Sequence, residues 1–240
     1  MNIKPKNHLI ILEKTKKLQK KASERQLLML VQDLISEGYN GEKALLELLI
    51  DRRIVNNLNI SYLDSIIFEL IFNSTSSDIQ QELKNYFPAG LVDLPSNLML
   101  DYQPLQNLLM IHNYQEADQL TQQKLCQLAG LDITNQRNWL YFTDITLLPS
   151  NELYNIDLLW RVYSRYKFGF SKQRQIWLSN NCNWEKFWHQ IGWKLDGVPR
   201  KYPNDFLWNI NAPNGHLPLF NQLRGVQVLL ALFNHIAWNK

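Results

Sequence analysis

Long hydrophobic runs and cysteines are scarce in this chain of 240 residues. No segment approaches the roughly 18 consecutive apolar residues of a membrane-spanning helix, and the most apolar one, VLLALFNHIAW, is interrupted by Asn234 and His235. The N-terminus has no signal-peptide core followed by a cleavage site. The two cysteines, Cys126 and Cys182, lack metal-ligand spacing and are interpreted as reduced thiols. We therefore expect no transmembrane segment, no secretion signal and no disulfide framework.

Signatures of catalysis are also absent. The sequence contains no GxSxG, HExxH, GxGxxG or phosphate-binding-loop pattern. The five histidines are isolated from one another, at His8, His112, His189, His216 and His235. The sequence therefore predicts a protein that is not an enzyme, holds no metal and requires no cofactor.

Positive charge is concentrated at the N-terminus. Residues 1–21 contain seven lysines and one glutamate, a charge of +6, so the net +3 of the chain leaves −3 for the remainder. Such a tail attracts nucleic acid, an anionic membrane surface or an acidic partner, although a solvated terminus is the simpler interpretation. Because no stacking platform with interleaved basic residues follows, we expect no nucleic-acid partner, and peripheral membrane association stays open.

Residues 23–90 are predicted to form a series of short amphipathic helices. Ser23 and Gln26 form a capping-box pattern before a run of apolar residues at helical spacing, and Gly38 ends that run. Ser61 is the predicted N-cap of a later helix. Connections of a few residues between such helices favour antiparallel packing in a bundle or short solenoid.

The segment PAGLVDLPSNLMLD, residues 88–101, contains two prolines and no helical period. We interpret it as a linker between domains. The predicted organisation is a basic tail at 1–22, an N-terminal helical bundle at 23–90 and a second domain at 100–240.

Tryptophan distinguishes the second block, since seven of the eight tryptophans lie between positions 139 and 208. In IDLLWRVY (156–163) and NWEKFWHQI (183–191) the aromatic and aliphatic residues fall on one helical face. Such stripes form packed core more often than cofactor contacts. Between them lies FGFS, where Gly169 is expected to take the left-handed conformation that ends a helix and Ser171 to cap the next one.

The stretch that follows Trp193, KLDGVPRKYPNDFLWNINAPNGHLPLFNQLRG, has four prolines and no helical period. Loops of this length in a compact domain are usually functional or disordered, and the many apolar residues argue against disorder. We expect an ordered loop that forms one wall of an apolar ligand site.

Several motifs between residues 102 and 218 occur in a specific order: ID-x-LW, YS, FGFS-x-Q-x-x-IW, GW and AP-x-GHLP. This order resembles the genomes-uncoupled family, the tetrapyrrole-binding regulators of magnesium chelatase in cyanobacteria, algae and plants. The resemblance implies an all-helical, cup-shaped domain that binds protoporphyrin IX and Mg-protoporphyrin IX as ligands. It also implies a non-catalytic, monomeric activator that acts on the large porphyrin-binding subunit of the chelatase in chlorophyll biosynthesis.

The resemblance also implies a set of site residues. The expected porphyrin-contacting side chains are Trp139, Leu140 and Leu148 on one side, Phe206, Trp208, His216 and Leu217 on the other, and Arg224 and Arg200 near the propionates. The family motif residues expected to form the scaffold beneath the cup are Phe168, Gly169, Phe170, Gln173 and Trp177. A broad apolar ligand with two carboxylates needs apolar walls and basic donors, which suits these residue types.

Two alternatives stay open from the sequence. The first is a helical protein-interaction scaffold without a ligand, and the second is a tetrapyrrole binder that serves bilin handling, photoprotection or signalling. The expected location is the chloroplast stroma, with membrane association as a variant, or the cytoplasm of a cyanobacterium.

Overall fold

The computed structural model describes residues 4–18, 20, 22–131, 137–219 and 226–238, with side chains from residue 10 onward. The described secondary structure is helical apart from one short hairpin, which confirms the all-α class. The chain forms two compact units, residues 1–93 and 94–240. The division falls inside the predicted linker.

The first unit contains five described α-helices and a π-helical turn at Asp51–Val55. The helices are α1 (Lys4–Leu18), α2 (Glu24–Ile35), α3 (Tyr39–Ile50), α4 (Tyr62–Phe72) and α5 (Ser77–Tyr86). Apolar residues at helical spacing on α3 and α4 form its core, including Leu45, Leu46, Leu49, Ile66 and Ile67, all of which are fully buried. The hydrophobic stripe of each helix is thus covered by its neighbours, as the helical period requires.

The two predicted helix starts in this unit are confirmed. Ser23 accepts the backbone N–H of Gln26, and the Gln26 side chain accepts the backbone N–H of Ser23, which completes a capping box. Ser61 caps α4 in the same way, with Asp64 as its partner. Arg52 then pairs with the buried Asp64 carboxylate at 2.6 Å, so the cap is also tied to the preceding turn.

Most of the segment predicted as a basic tail is helical. Helix α1 buries Ile11 and Leu18, which lie seven residues apart on one helical face, and it packs against α2 and α3. Lys14 forms ion pairs with Asp33 at 3.1 Å and Glu37 at 2.8 Å, so part of the basic charge is neutralised by α2 and the turn after it.

The second unit contains α6 (Gln103–Met110), α7 (Tyr114–Leu128), α8 (Phe142–Ile145), α9 (Ser150–Val162), α10 (Phe170–Ser179), α11 (Trp184–Gln190) and α12 (Val226–Phe233), followed by a 3-10 turn at Ile236–Trp238. Among the described parts of the chain, no helix is both long and apolar enough to cross a membrane.

Helix α9 is the centre of the second unit, as its predicted aromatic stripe requires. Trp160 is fully buried, and its Nε1 donates to Thr121 Oγ1 on α7 at 2.9 Å. Tyr114, at the start of α7, donates its hydroxyl to the Tyr163 carbonyl at 2.8 Å. At the other end, buried Glu152 accepts the Tyr102 hydroxyl at 2.7 Å, which ties the chain before α6 to α9.

The long loop that follows α11 is present over its described part, 193–219, and contains one feature that we did not predict. Strands β1 (Lys194–Leu195) and β2 (Val198–Pro199) pair antiparallel. The two residues between them, Asp196 and Gly197, both have positive φ, at 50° and 80°. Asp-Gly is a preferred pair for this turn, so the local sequence contained a pattern from which the hairpin could have been predicted.

Candidate functional site

The FGFS corner is stabilised by a carboxylate from α9. Gly169 has a φ of +116°, and a Cβ there would lie 2.8 Å from Asp157 Oδ1. That oxygen accepts the Ser171 N–H at 2.8 Å, while Asp157 Oδ2 accepts the Ser171 hydroxyl and Arg161 Nε, both at 2.7 Å. Asp157 therefore caps α10. We expected Ser171 to be the cap, but helical geometry already begins at Phe170, which places Ser171 inside the helix.

The same corner holds the GHLP segment, residues 215–218, through the backbone. The N–H of Gly215 donates to the Lys167 carbonyl at 2.7 Å, and the N–H of Gly169 donates to the Leu217 carbonyl at 3.0 Å. The irregular backbone of residues 167–169 is thereby hydrogen-bonded to the irregular backbone of residues 215–217. Because neither segment belongs to a helix or a sheet, these bonds satisfy polar groups that would otherwise be buried without partners.

Gln173 on α10 completes this attachment. Its side chain is fully buried, and Nε2 donates to the carbonyls of Gly215 at 3.0 Å and Pro218 at 2.8 Å. One amide group thus binds both ends of the GHLP segment. The two motifs that lie more than 40 residues apart in sequence form one structural unit.

His216 connects two parts of the long loop to the end of α11. Its Nδ1 lies 2.7 Å from the Ile191 carbonyl, and its Nε2 accepts the N–H of Leu207 at 3.1 Å, so the ring is the neutral tautomer protonated at Nδ1. Burial lowers the pKa of His216, which favours this neutral form. The His216 carbonyl also accepts Trp193 Nε1 at 2.8 Å. One ring nitrogen therefore binds the main chain at the end of α11, and the other binds the main chain of the loop.

An aromatic surface, which we call the loop wall, extends over residues 200–208. The Phe206 ring packs 5.5 Å from the His216 ring, and Trp208 packs edge to face with Tyr202 at 5.9 Å. Trp208 Nε1 donates to the Pro203 carbonyl at 3.0 Å, which fixes the orientation of the indole. Trp208 and Tyr202 are held by hydrogen bonds at their polar atoms, so the faces of these two rings can form apolar surface, whereas Phe206 is buried.

A second surface, which we call the α8 wall, extends over residues 137–148. Arg137 pairs with Asp144 at 2.8 Å and lies over the Tyr141 ring at 4.4 Å. The three apolar residues Tyr141, Phe142 and Leu147 are each more than half exposed, at 53%, 51% and 61%. A cluster of exposed apolar side chains of this kind marks a binding surface more often than single exposed residues do.

Helix α7 anchors both walls. Gln119 donates to the Tyr202 hydroxyl of the loop wall at 3.2 Å, and Gln122, one turn later, donates to the Asn138 carbonyl of the α8 wall at 3.2 Å. Asp118, next to Gln119, accepts the N–H of Leu219 at 2.6 Å. Two aromatic segments that are far apart in sequence are therefore attached to a single turn of one helix.

These features agree with comparisons to known proteins. A family model described as GUN4-like matches residues 95–236, and one described as an ARM-like repeat domain, GUN4-N terminal, matches residues 7–88. The chain belongs to the GUN4-like family. The resemblance inferred from the motifs is thus confirmed, and both units of this GUN4-like protein are covered.

Relatives and a solved structure support the same assignment. A Pyropia yezoensis protein named "Uncharacterized protein ycf53" is 47% identical over 89% of this chain and 90% of its own length. The "Tetrapyrrole-binding protein, chloroplastic" of Arabidopsis thaliana is 34% identical over 56% of this chain and 54% of its own. The structure of GUN4 from Chlamydomonas reinhardtii superimposes with a TM-score of 0.56, at 37% identity, over 62% of this chain and 95% of that one.

The residues expected to contact a porphyrin fall into three groups in this GUN4-like protein. Leu140, Leu148, Phe206, His216 and Leu217 are buried, whereas Trp139, Arg200 and Trp208 are half-buried, and Arg224 lies outside the described residues. Their direct contact with a ligand stays a prediction. The structure brings Phe206, Trp208 and Arg200 together on the loop wall and Trp139, Leu140 and Leu148 on the α8 wall.

The residues expected to form the scaffold are all buried, and two of them, Gly169 and Gln173, bind the GHLP segment, whereas the buried Trp177 Nε1 has no hydrogen-bond partner among the described residues. Their role beneath a porphyrin also stays a prediction. Phe168 packs edge to face against Tyr114 at 5.3 Å, and Trp177 packs against Trp184 at 5.1 Å.

Sequence reasoning missed three contributors to this site: Asp118, Gln119 and Gln122. A single glutamine on a helix surface carries no signal of its partner, so the two glutamines were not predictable. Asp118 had a weak signal, because an aspartate between Ala117 and Leu125 on the apolar face of α7 is a buried charge that needs an explanation. Among the described residues, no group of three or more histidine, cysteine, aspartate or glutamate side chains is placed to hold a metal ion.

Proposed function

We propose that this protein binds protoporphyrin IX and Mg-protoporphyrin IX between the loop wall and the α8 wall and stimulates magnesium chelatase in chlorophyll biosynthesis. In this proposal it is a monomeric regulator without catalytic activity, located in the plastid stroma or in a cyanobacterial cytoplasm. Its partner is the large porphyrin-binding subunit of the chelatase. Family membership and the name of the Arabidopsis relative support the tetrapyrrole as ligand.

The observation that carries this proposal is the attachment of both walls to one turn of α7. Gln119 and Gln122 hold Tyr202 and Asn138 respectively, so the aromatic segments on either side have a common base. A porphyrin is a flat apolar ring system that needs surfaces on its two faces. Trp208 and Tyr202 on one wall, and Tyr141 on the other, supply rings with faces suited to stacking.

The carboxylate edge of a porphyrin needs cationic or N–H donors. Arg200 lies at the start of the loop wall, where its backbone N–H donates to the Trp193 carbonyl at 2.9 Å and its guanidinium donates to the Asp205 carbonyl. Lys201 is adjacent and exposed. Because Arg200 is half-buried, its guanidinium can form charge-assisted hydrogen bonds to a propionate at the surface. We propose Arg200 and Arg224 as the propionate-binding residues.

A fluorescence titration tests the binding proposal. Adding protoporphyrin IX should quench the tryptophan emission saturably, because seven tryptophans lie within the second unit between positions 139 and 208. The Trp208→Ala variant should bind about 5-fold to 150-fold more weakly, since loss of a stacked ring costs about 1–3 kcal/mol. Leu178→Ala is the matched control, because Leu178 is an exposed apolar residue on α10. Absence of saturable quenching in the unmodified protein would leave the ligand-free scaffold as the better account.

A turnover assay separates the regulator from other tetrapyrrole binders. Magnesium insertion by a reconstituted chelatase should accelerate when this protein is added, and Trp208→Ala should require proportionally more protein for the same effect. If porphyrin binds but turnover is unchanged, then bilin handling, photoprotective storage or signalling becomes the better assignment. Co-sedimentation with anionic vesicles would test whether the lysine-rich segment associates with a membrane surface, the alternative that the sequence leaves open.

A further inference from the structure

His216 is fully buried, and both nitrogens of its ring are bound to main chain. A carbonyl oxygen only accepts and a backbone N–H only donates. The Ile191 carbonyl therefore requires a proton on Nδ1, and the Leu207 N–H requires a lone pair on Nε2. Neither nitrogen is left to bind a ligand, so these nitrogens can act on a ligand only through the chain that they hold.

The chain held by Nε2 belongs to the loop wall, where Leu207 lies between the rings of Phe206 and Trp208. Among the described residues, the hydrogen bond from Leu207 to His216 is the only one that joins either ring residue or Leu207 itself to chain outside the loop wall. The Phe206 N–H and Trp208 Nε1 both donate to the Pro203 carbonyl, within the wall. His216 thus fixes this end of the wall against the GHLP segment.

A proton on Nε2 removes the lone pair that accepts the Leu207 N–H. Two N–H donors then face each other across 3.1 Å, and a buried imidazolium has one N–H without an acceptor. The Leu207 side chain is 41% exposed, and its backbone lies outside any helix or strand, so this residue can move toward water. Separation of Leu207 from the ring resolves the conflict, because water can then accept the new N–H.

One cation reinforces the neutral state of the ring. Burial lowers the pKa of His216 and the bond to the Ile191 carbonyl opposes this, while the Arg200 cation of the loop wall lowers it further. Of the charged side chains that the structure describes, Arg200 is the one that acts on His216. The other titratable groups on the elements packed against the GHLP segment are Lys167 at the FGFS corner, Lys172 and Arg174 on α10, Glu116, Asp118 and Lys124 on α7, Glu185, Lys186 and His189 on α11, Lys194 and Asp196 in the hairpin, and Lys201, Tyr202 and Asp205 in the loop wall.

We propose that His216 is a positioning residue of the tetrapyrrole site, whose neutral ring holds Leu207 and thereby the end of the loop wall, and that a proton gained at Nε2 releases the wall and weakens ligand binding. The inference rests on the proposed function, because the ligand is the proposed tetrapyrrole. It makes retention of the ligand dependent on pH below neutrality.

The sign of the pH effect follows from proton linkage. With Leu207 attached, the pKa of His216 is lowered, whereas in a released ring or an unfolded chain it lies near the ordinary value of about 6.5. The attached state therefore has its full stability above about pH 6.5 and loses stability as the pH falls below this value, by up to about tenfold per pH unit. The loss levels off once the pH is below the lowered pKa of the attached ring.

Amide hydrogen exchange of the unmodified protein measures the release directly. The protection factor of the Leu207 amide, which already corrects for the intrinsic pH dependence of exchange, should fall severalfold and at most about tenfold between about pH 7.5 and about pH 5.5. The internal control is the amide of Phe187 on α11, which is bound to the Asn183 carbonyl at 3.0 Å and should keep its protection. A Leu207 protection factor that stays constant over this range would overturn the proposal.

The substitution His216→Gln separates the charge from the hydrogen bonds. A glutamine amide has both an N–H donor and an oxygen acceptor, and it does not titrate. His189→Gln is the matched control, because His189 is an exposed histidine on α11. Binding of protoporphyrin IX is measured for the three proteins at the same two pH values. The ratio of dissociation constants between proteins removes the titration of the porphyrin and that of Asp118, whose pKa burial raises to about 8.

On acidification the dissociation constant of the unmodified protein should rise severalfold relative to that of His216→Gln, with a limit of about tenfold set by one proton and one pH unit. His189→Gln should follow the unmodified protein. Equal pH dependence in all three proteins would overturn the proposal, whatever the overall stability of His216→Gln, because a merely structural role does not change a pH profile. Release of Leu207 in acid without a change in affinity would also overturn it.

Nitrogen NMR of the histidine rings supplies a readout that needs no ligand. The His216 ring should be neutral with its proton on Nδ1 near neutral pH and should gain its second proton below about pH 6.5. A neutral ring protonated on Nε2 would contradict the proposal. If ring titration and Leu207 exchange behave as expected but protoporphyrin IX binds at neither pH, the proposed function fails, while the attachment of the loop wall by His216 stands.

Discussion

The attachment of the GHLP segment to α10 predicts a large effect from one amide. In Gln173→Met the side chain keeps its length and approximate volume but loses Nε2. Two buried carbonyls, those of Gly215 and Pro218, then lose the donor at 3.0 Å and 2.8 Å. Each buried acceptor left without this bond costs about 1–3 kcal/mol.

One opposing effect reduces this sum. Gln173 Oε1 is buried and accepts no hydrogen bond from a described residue, so its removal relieves a desolvation cost of about 1 kcal/mol. The net loss in the free energy of unfolding is therefore expected to be about 1–5 kcal/mol. For a second unit of ordinary stability, this is a substantial fraction of the whole.

Urea unfolding followed by tryptophan fluorescence measures this loss, since the tryptophans are concentrated in the second unit. Gln175→Met is the matched control on the same helix, because Gln175 is exposed. Amide exchange at Gly215 and Leu217 should also accelerate in Gln173→Met. A change below about 0.5 kcal/mol, equal to that of Gln175→Met, would refute the view that Gln173 holds the segment.

Three further substitutions test the supports beneath the site. Gly169→Ala should lower the free energy of unfolding by about 2–4 kcal/mol, because the φ of +116° is strained for alanine and the added Cβ would lie 2.8 Å from Asp157 Oδ1. Thermal unfolding measures this loss, and an unchanged stability would contradict the close packing at Gly169. Trp160→Phe should lower the free energy of unfolding by about 1–3 kcal/mol, because it loses side-chain volume and the hydrogen bond to Thr121. Thr121→Val keeps the indole and should lower it by about 1 kcal/mol. Equal losses of stability in urea unfolding would show that the hydrogen bond alone matters.

Several local features were predictable because their causes are local. The capping box at Ser23 and the N-cap at Ser61 need only residues a few positions apart, and both formed as expected; that Ser61 also forms a capping box with Asp64 was not predicted. The buried stripe that contains Trp160 follows from helical spacing. The positive φ of Gly169 was also expected, but its predicted role in ending a helix was wrong, because α9 already ends at Val162 and Gly169 lies at the N-cap of α10. The side chain that caps α10 comes from Asp157, twelve residues earlier, which the local pattern did not indicate.

For helix α1, the lysine-rich composition led to a wrong interpretation. Seven lysines suggested a solvated tail, yet Ile11 and Leu18 lie on one face and are buried. Two apolar residues one heptad apart are too weak a pattern to predict a helix by themselves. Packing against α2 and α3 supplies the free energy that the isolated segment lacks.

The amino-acid sequence by itself determined the helical class, the two-part organisation of the helices and the family, because helical period, caps and ordered motifs are all encoded in neighbouring residues. Tertiary structure alone decided which irregular segments meet. The bond from Leu219 to Asp118 joins positions 101 residues apart, and no local pattern specifies such a pair. The environment of the Asp118 carboxyl, and therefore its proton, likewise exists only after α7 and the loop have packed and excluded water.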